Sequence, residues 1–124
     1  MQTTGSLAQP FVDGLEQQLL RYQHCRACGQ AQTLARYACQ RCASPALEWR
    51  QASGHATVRA ATVVARAPSD AFRALAPYTL VIAELDEGPR LMGHAEAGMR
   101  IGTRVAAQFF RHQERWLVRF AAIE

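Results

Sequence analysis

Two CxxC steps, Cys25-Arg26-Ala27-Cys28 and Cys39-Gln40-Arg41-Cys42, constrain this chain more than any other feature of its sequence. One CxxC step lets a single tight turn present two sulfurs to the same ion, and two steps complete a tetrahedron of thiolates about 2.3 Å from the metal. Zinc suits that shell best, and iron, which also accepts four thiolates, is the less favoured occupant. A redox dithiol is the competing use of CxxC, but two pairs bracketing one short loop favour a metal. Four thiolates leave no position for water or substrate, so the ion is expected to be structural and not catalytic.

The remainder of the composition describes what surrounds that centre. At 124 residues, 49% hydrophobic and 19% charged, the chain has the balance of one ordinary domain or of two small modules leaning on each other. All 14 basic residues are arginine, which reads as the codon usage of a GC-rich genome more than as selection for guanidinium chemistry. The net charge of +4 tolerates an anionic partner, yet the arginines run from Arg21 to Arg119 without a cluster and do not by themselves nominate nucleic acid. The opening MQTTGSLAQPFV lacks the basic and apolar regions of a secretory signal, and apolar runs such as Tyr78 to Ala83 are far shorter than the ~20 residues of a membrane span. A cytoplasmic, reducing location is the expectation, which again favours metal ligands over disulfides.

Read in order, the chain divides into residues 1–18, a leading segment with a short helix; 19–52, a zinc ribbon; and 53–124, a barrel. Pro10 to Gln18 has helical apolar spacing through Phe11, Leu15 and Leu19, with Pro10 early and Gly14 weakening it. Leu19 to Gln23 leads into the first cysteine pair and Leu34 to Tyr37 into the second, each as a strand, which predicts a hairpin with the metal at its tip. Ser44-Pro45 breaks the chain, Leu47 to Gln51 reads as a further strand, and Ser53-Gly54 marks a boundary.

Five β-like runs follow: His55 to Arg66, Tyr78 to Asp86, Arg90 to Glu96, Thr103 to Phe110 and Trp116 to Ala122. In the first, period two places Val58, Ala60, Thr62 and Val64 on one face and Thr57, Arg59, Ala61 and Val63 on the other. Asp86 to Pro89 is a tight turn that makes runs two and three a hairpin, and His112-Gln113-Glu114 closes runs four and five. Ala67 to Pro77 is a long link, the kind of loop that often carries function. Ala97 to Gly102 is too short for a helix and is expected to be a turn. The fold predicted is mainly β, with a five-stranded barrel of the OB type.

The ribbon has few large apolar residues of its own, chiefly Leu20, Tyr22, Leu34, Tyr37, Leu47 and Trp49, so it needs its metal as a staple. Gly29 after the first knuckle can adopt the left-handed conformation that turns backbone amides toward the sulfurs; Ala43 after the second must manage the turn with a strained or different geometry.

These features together resemble a family of zinc-ribbon plus OB-fold proteins associated with acyl-CoA, formerly a domain of unknown function. The resemblance spans Pro10 to Phe120 and rests on PFVDGL, the CRACG and CQRC knuckles, LEW, SGHATV, the residues from Thr62 to Pro68, PYTLVIAELDEGPRL at Pro77 to Leu91, and RIGTRV at Arg100 to Val105. Two positions depart from the family: Gln40 stands where proline is common and Ala43 where glycine is common. The resemblance implies a rubredoxin-like ribbon and a non-catalytic accessory subunit. That subunit would bind or position acyl-CoA thioesters for a thiolase-like, aldolase or hydratase partner in lipid, steroid or polyketide-type acyl metabolism.

For acyl-CoA, arginine forks would grip phosphates and an apolar groove would take the arm, which nominates Arg66, Phe72, Arg73 and Tyr78 around the long link. No nucleophile constellation stands out: His24, His55, His94 and His112 are scattered, and Asp86 and Glu87 read as turn formers. A single-stranded nucleic-acid module is the first alternative, disfavoured by the acidic Glu84, Asp86, Glu87 and Glu96 beside strands that offer only Tyr78 for stacking. A docking subunit that never touches CoA is the second.

Overall fold

The computed structural model describes residues 7–33, 35–65 and 77–123. Helix α1 spans Gln9–Glu16, with Pro10 in its first turn. It stops where Gln18 turns left-handed (φ 62°) and Leu19 returns its N–H to the Gly14 carbonyl at 2.8 Å. Gly14 is needed at that spot, because a Cβ would stand 3.0 Å from the Leu19 carbonyl oxygen.

The ribbon is a three-stranded antiparallel sheet of β1 (Arg21–Cys25), β2 (Ala31–Gln32) and β3 (Leu47–Gln51), with β1 in the centre. This corrects the expected hairpin. The main partner of β1 is β3, in the register His24↔Glu48, while β2 is two residues long and lies before the segment expected to be a strand. The described residues between Thr33 and Cys39 form no strand because side chains meet their backbone needs. The buried Gln23 amide accepts the Arg36 N–H at 3.1 Å and donates to the Arg36 carbonyl at 3.1 Å. Gln32 donates to Gln23 Oε1 at 2.7 Å and accepts the Gln40 N–H at 3.1 Å. Two buried glutamines thereby do what a ladder would otherwise do. Tyr37, expected in the ribbon core, is 83% exposed, and Leu34 lies outside the described residues.

The barrel strands are β4 (His55–Val64), β5 (Tyr78–Leu85), β6 (Arg90–Ala95), β7 (Arg104–His112) and β8 (Arg115–Ala122), closed in the order β4-β5-β6-β8-β7. The five expected runs and both tight turns are present, the second turn being Gln113-Glu114 with positive φ at both residues. No helix interrupts the stretch from Ala97 to Gly102. The face assignment on β4 needs correction. A bulge between Val58 and Ala60 shifts the register, so Val58 pairs with buried Ala83, whereas Ala60, Thr62 and Val64 pair with the outward residues Ile82, Leu80 and Tyr78.

The interior is one cluster in which Leu15, Leu20, Tyr22 and Ala52 join Ala56, Val58, Val81, Leu85, Val105 and Phe120. The Ala52 N–H bonds the Leu20 carbonyl at 2.7 Å, and the Ala107 N–H bonds that of Gly54 at 2.7 Å, so the segment between sheets is pinned on both sides. Helix α1 packs on β8, where Phe11 and Leu15 face Trp116 and Leu117. Among the described residues, no helix is long and apolar enough to cross a membrane.

Candidate metal centre and barrel seam

The two knuckles are built on one backbone pattern. In the first, the Gly29 N–H reaches the Cys25 carbonyl at 2.9 Å and the Cys25 N–H reaches that of Gln30 at 2.8 Å. In the second, Ala43 and Cys39 repeat these bonds at 2.9 and 2.8 Å, the latter to Ser44. Gly29 and Ala43 are both left-handed, at φ 85° and 65°. The turn expected to be strained at Ala43 is therefore made, with a Cβ in it.

The knuckles bring all four sulfurs within 4.8 Å of one another, with Cys25 to Cys42 and Cys28 to Cys39 each at 3.6 Å. A tetrahedron of 2.3 Å bonds has edges of about 3.8 Å, so the arrangement fits a metal ion, and it lies well beyond the ~2.05 Å of a disulfide. Electrostatics point the same way. The N–H groups of Cys42 and then Arg41 bring the Cys39 thiol down to about 6. Cys25 is lowered in like manner, first by the Cys28 N–H. Cys42 accepts the Ser44 N–H, yet burial and the sulfurs of Cys25, Cys28 and Cys39 push it up to about 12. Four thiolates this close cannot all shed their protons without a cation between them, and a metal supplies that charge.

The chemistry-bearing side chains elsewhere are mostly tied into structure. His24 Nδ1 lies 3.5 Å from Glu48 Oε2, an ionic approach too poorly aligned to count as a hydrogen bond. Arg50 grips that same oxygen and, first among its neighbours, holds the Glu48 carboxyl below its ordinary range. Only the β1–β3 register reveals this trio; sequence separation hides it. Asp86, expected as a turn former, is held bidentately by Arg104 at 2.7 and 3.0 Å, and this pairing lowers its pKa. Glu87 Oε2 accepts the Ser53 N–H at 2.8 Å and ties the turn to the inter-sheet segment.

Of the residues nominated for acyl-CoA, Arg66, Phe72 and Arg73 lie outside the described residues. Tyr78 opens β5, half-buried, with its ring 5.2 Å from that of His94; Phe110 meets His94 edge-on at 5.4 Å. Burial, then His112 and Arg119, lower the His94 pKa, so its imidazole is neutral at pH 7.

This aromatic group marks the narrow end of a seam. The parallel strands β6 and β8 pair only at His94↔Arg119 and Ala95↔Phe120. Before those residues no pairing continues, and Met92, Gly93, Leu117 and Val118, with Tyr78 and Leu80, line a cavity of about 270 Å³. A second cavity of about 310 Å³ continues from Tyr78 and His94 to Phe110 and Arg119. The period-two pattern gave no sign of the seam, since strand pairing order is not written in periodicity.

Comparison with known proteins adds family and fold. Residues 12–48 match the model of the ChsH2 rubredoxin-like zinc ribbon domain, and residues 49–110 that of the ChsH2 C-terminal OB-fold domain. A solved structure titled "Ltp2-ChsH2(DUF35) aldolase" superposes with a TM-score of 0.81 at 24% identity, covering 94% of each chain. A protein of unknown function of the DUF35 family from Sulfolobus solfataricus superposes at 0.68 with 22% identity, over 96% of this chain and 87% of that one.

Proposed function

The chain belongs to the ChsH2 family, a zinc ribbon joined to an OB-fold domain, and from that premise we infer that it is a non-catalytic subunit that holds an acyl-CoA thioester for an aldolase- or thiolase-type enzyme. The observation that carries the reading is the seam between β6 and β8. Its apolar walls, Tyr78, Leu80, Met92, Leu117 and Val118 among them, suit the arm of a CoA thioester. At the narrow end Tyr78 and neutral His94 stand where the thioester would leave the seam for the partner's active site. The partner is inferred from the similar solved structure, the Ltp2-ChsH2(DUF35) aldolase.

The four cysteines would hold zinc, which supplies a rigid fourfold link between the knuckles. Cys25 and Cys39 are buried and Cys28 and Cys42 exposed, so the centre anchors inward and caps outward.

Titrating octanoyl-CoA onto the isolated chain and onto the complex co-purified from its source tests the reading. Saturable binding is expected, weakened about tenfold or more by Tyr78→Ala. No binding in either preparation would refute ligand handling.

A further inference from the structure

We propose that the edge of β4 left unpaired among the described residues joins two copies of this chain into a weak, two-fold symmetric dimer. β4 is longer than its barrel partner needs. It pairs with β7 only from His55 to Thr57, and the Val58 N–H and carbonyl then meet the Thr103 carbonyl and the Gly102 N–H at 3.0 and 2.8 Å. From Arg59 onward no strand among the described residues pairs with that edge, while the other edge follows β5 to Tyr78. The open stretch reads Ala60-Ala61-Thr62-Val63-Val64, with no charge, no proline and no glycine, and Val63 is 67% exposed. Edges left to water are usually guarded by lysine, proline or a bulge that turns them away, and among the described residues β4 has none of these between Ala60 and Val64.

The bulge fixes which peptide groups face outward. In an antiparallel ladder alternate residues bond to one neighbour and the residues between them to the other. The Asp86 N–H bonds the His55 carbonyl at 3.0 Å, which sets the phase on β5, and the extra residue at Arg59 advances β4 by one. Ala60, Thr62 and Val64 therefore bond to β5, and Ala61 and Val63 direct their N–H and C=O groups to the open edge. That pattern is self-complementary. Turned about a two-fold axis at Thr62, Ala61 of one copy faces Val63 of the other, and both pairs exchange two hydrogen bonds. Thr62 meets Thr62 across the axis, a favourable cross-strand pair, and Ala60 meets Val64. The two barrels then share one continuous sheet.

Five residues a side is small against the ~800 Å² per partner of a stable dimer, so the dissociation constant is expected on the order of 10–100 µM. Sedimentation of the zinc-loaded chain from about 1 µM to about 1 mM should show a monomer passing to a dimer. Amide exchange at Ala61 and Val63 should slow with concentration. Val63→Lys, at an exposed site, should stay monomeric throughout with unchanged circular dichroism and zinc content. A wild-type monomer at every concentration would overturn the proposal, as would a Val63→Lys variant that dimerises equally. Protection of Ala61 and Val63 only when a partner enzyme is bound would assign the edge to that enzyme and overturn it too. None of these outcomes bears on octanoyl-CoA binding.

Discussion

Gly29 and Ala43 stand at the same place in the two knuckles, and each donates its N–H to the first cysteine's carbonyl at 2.9 Å. Both are left-handed, where a Cβ crowds the following carbonyl at a cost of about 1–2 kcal/mol. Ala43→Gly relieves that strain but frees the unfolded chain, so a net gain of roughly 0.5–1 kcal/mol is expected in the zinc-loaded protein. A thermal melt reads it as a Tm higher by a few degrees; an unchanged or lower Tm would show that the second knuckle does not store strain. This residue was legible in advance, because CxxC geometry demands the same turn after each pair. Gln23 and Gln32 were not. A glutamine's amide looks like surface polarity in a sequence, and only the packing shows that both are 2% exposed and carry the backbone of the loop before Cys39.

At the scale of elements, alternation sufficed to find the five barrel strands because each buries one face against a common interior. It could not show where two strands part or where one slips by a residue. The bulge at Arg59 and the seam between β6 and β8 depend on contacts made after closure. Gly93 lies beside that seam, and the ring of Phe120 occupies the space its side chain would need: a Cβ would stand 2.7 Å from Phe120 Cε2. Gly93→Ala should therefore displace Phe120, which is fully buried, and destabilise the protein by about 1–3 kcal/mol. Urea unfolding measures it, and a midpoint within error of wild type would mean the ring has room to move. Phe109 and Phe110 divide as alternation implies, Phe109 against the interior and Phe110 against His94.

For the whole molecule, ribbon and barrel are not independent. Leu20 and Tyr22 from the ribbon lie in the same apolar cluster as Val58 and Phe120 from the barrel. Chelating the metal, or Cys39→Ala, should melt the ribbon and also lower the barrel's unfolding midpoint, because the ribbon's base is part of the barrel's interior. Purified protein should carry one zinc per chain, and its removal should shift near-ultraviolet dichroism and thermal melting together. A barrel transition indifferent to chelation would show the cluster to be divided. The domain order was legible because cysteine spacing and strand alternation are local signals; the common core was not, because it joins residues more than a hundred positions apart. That distance also has a meaning in time. Helix α1 packs on β8, the last strand, so on the ribosome Phe11 and Leu15 must wait for about a hundred further residues before their cover exists. At ~5–20 residues per second this is roughly 5–20 s during which that apolar face lacks the strand that finally covers it.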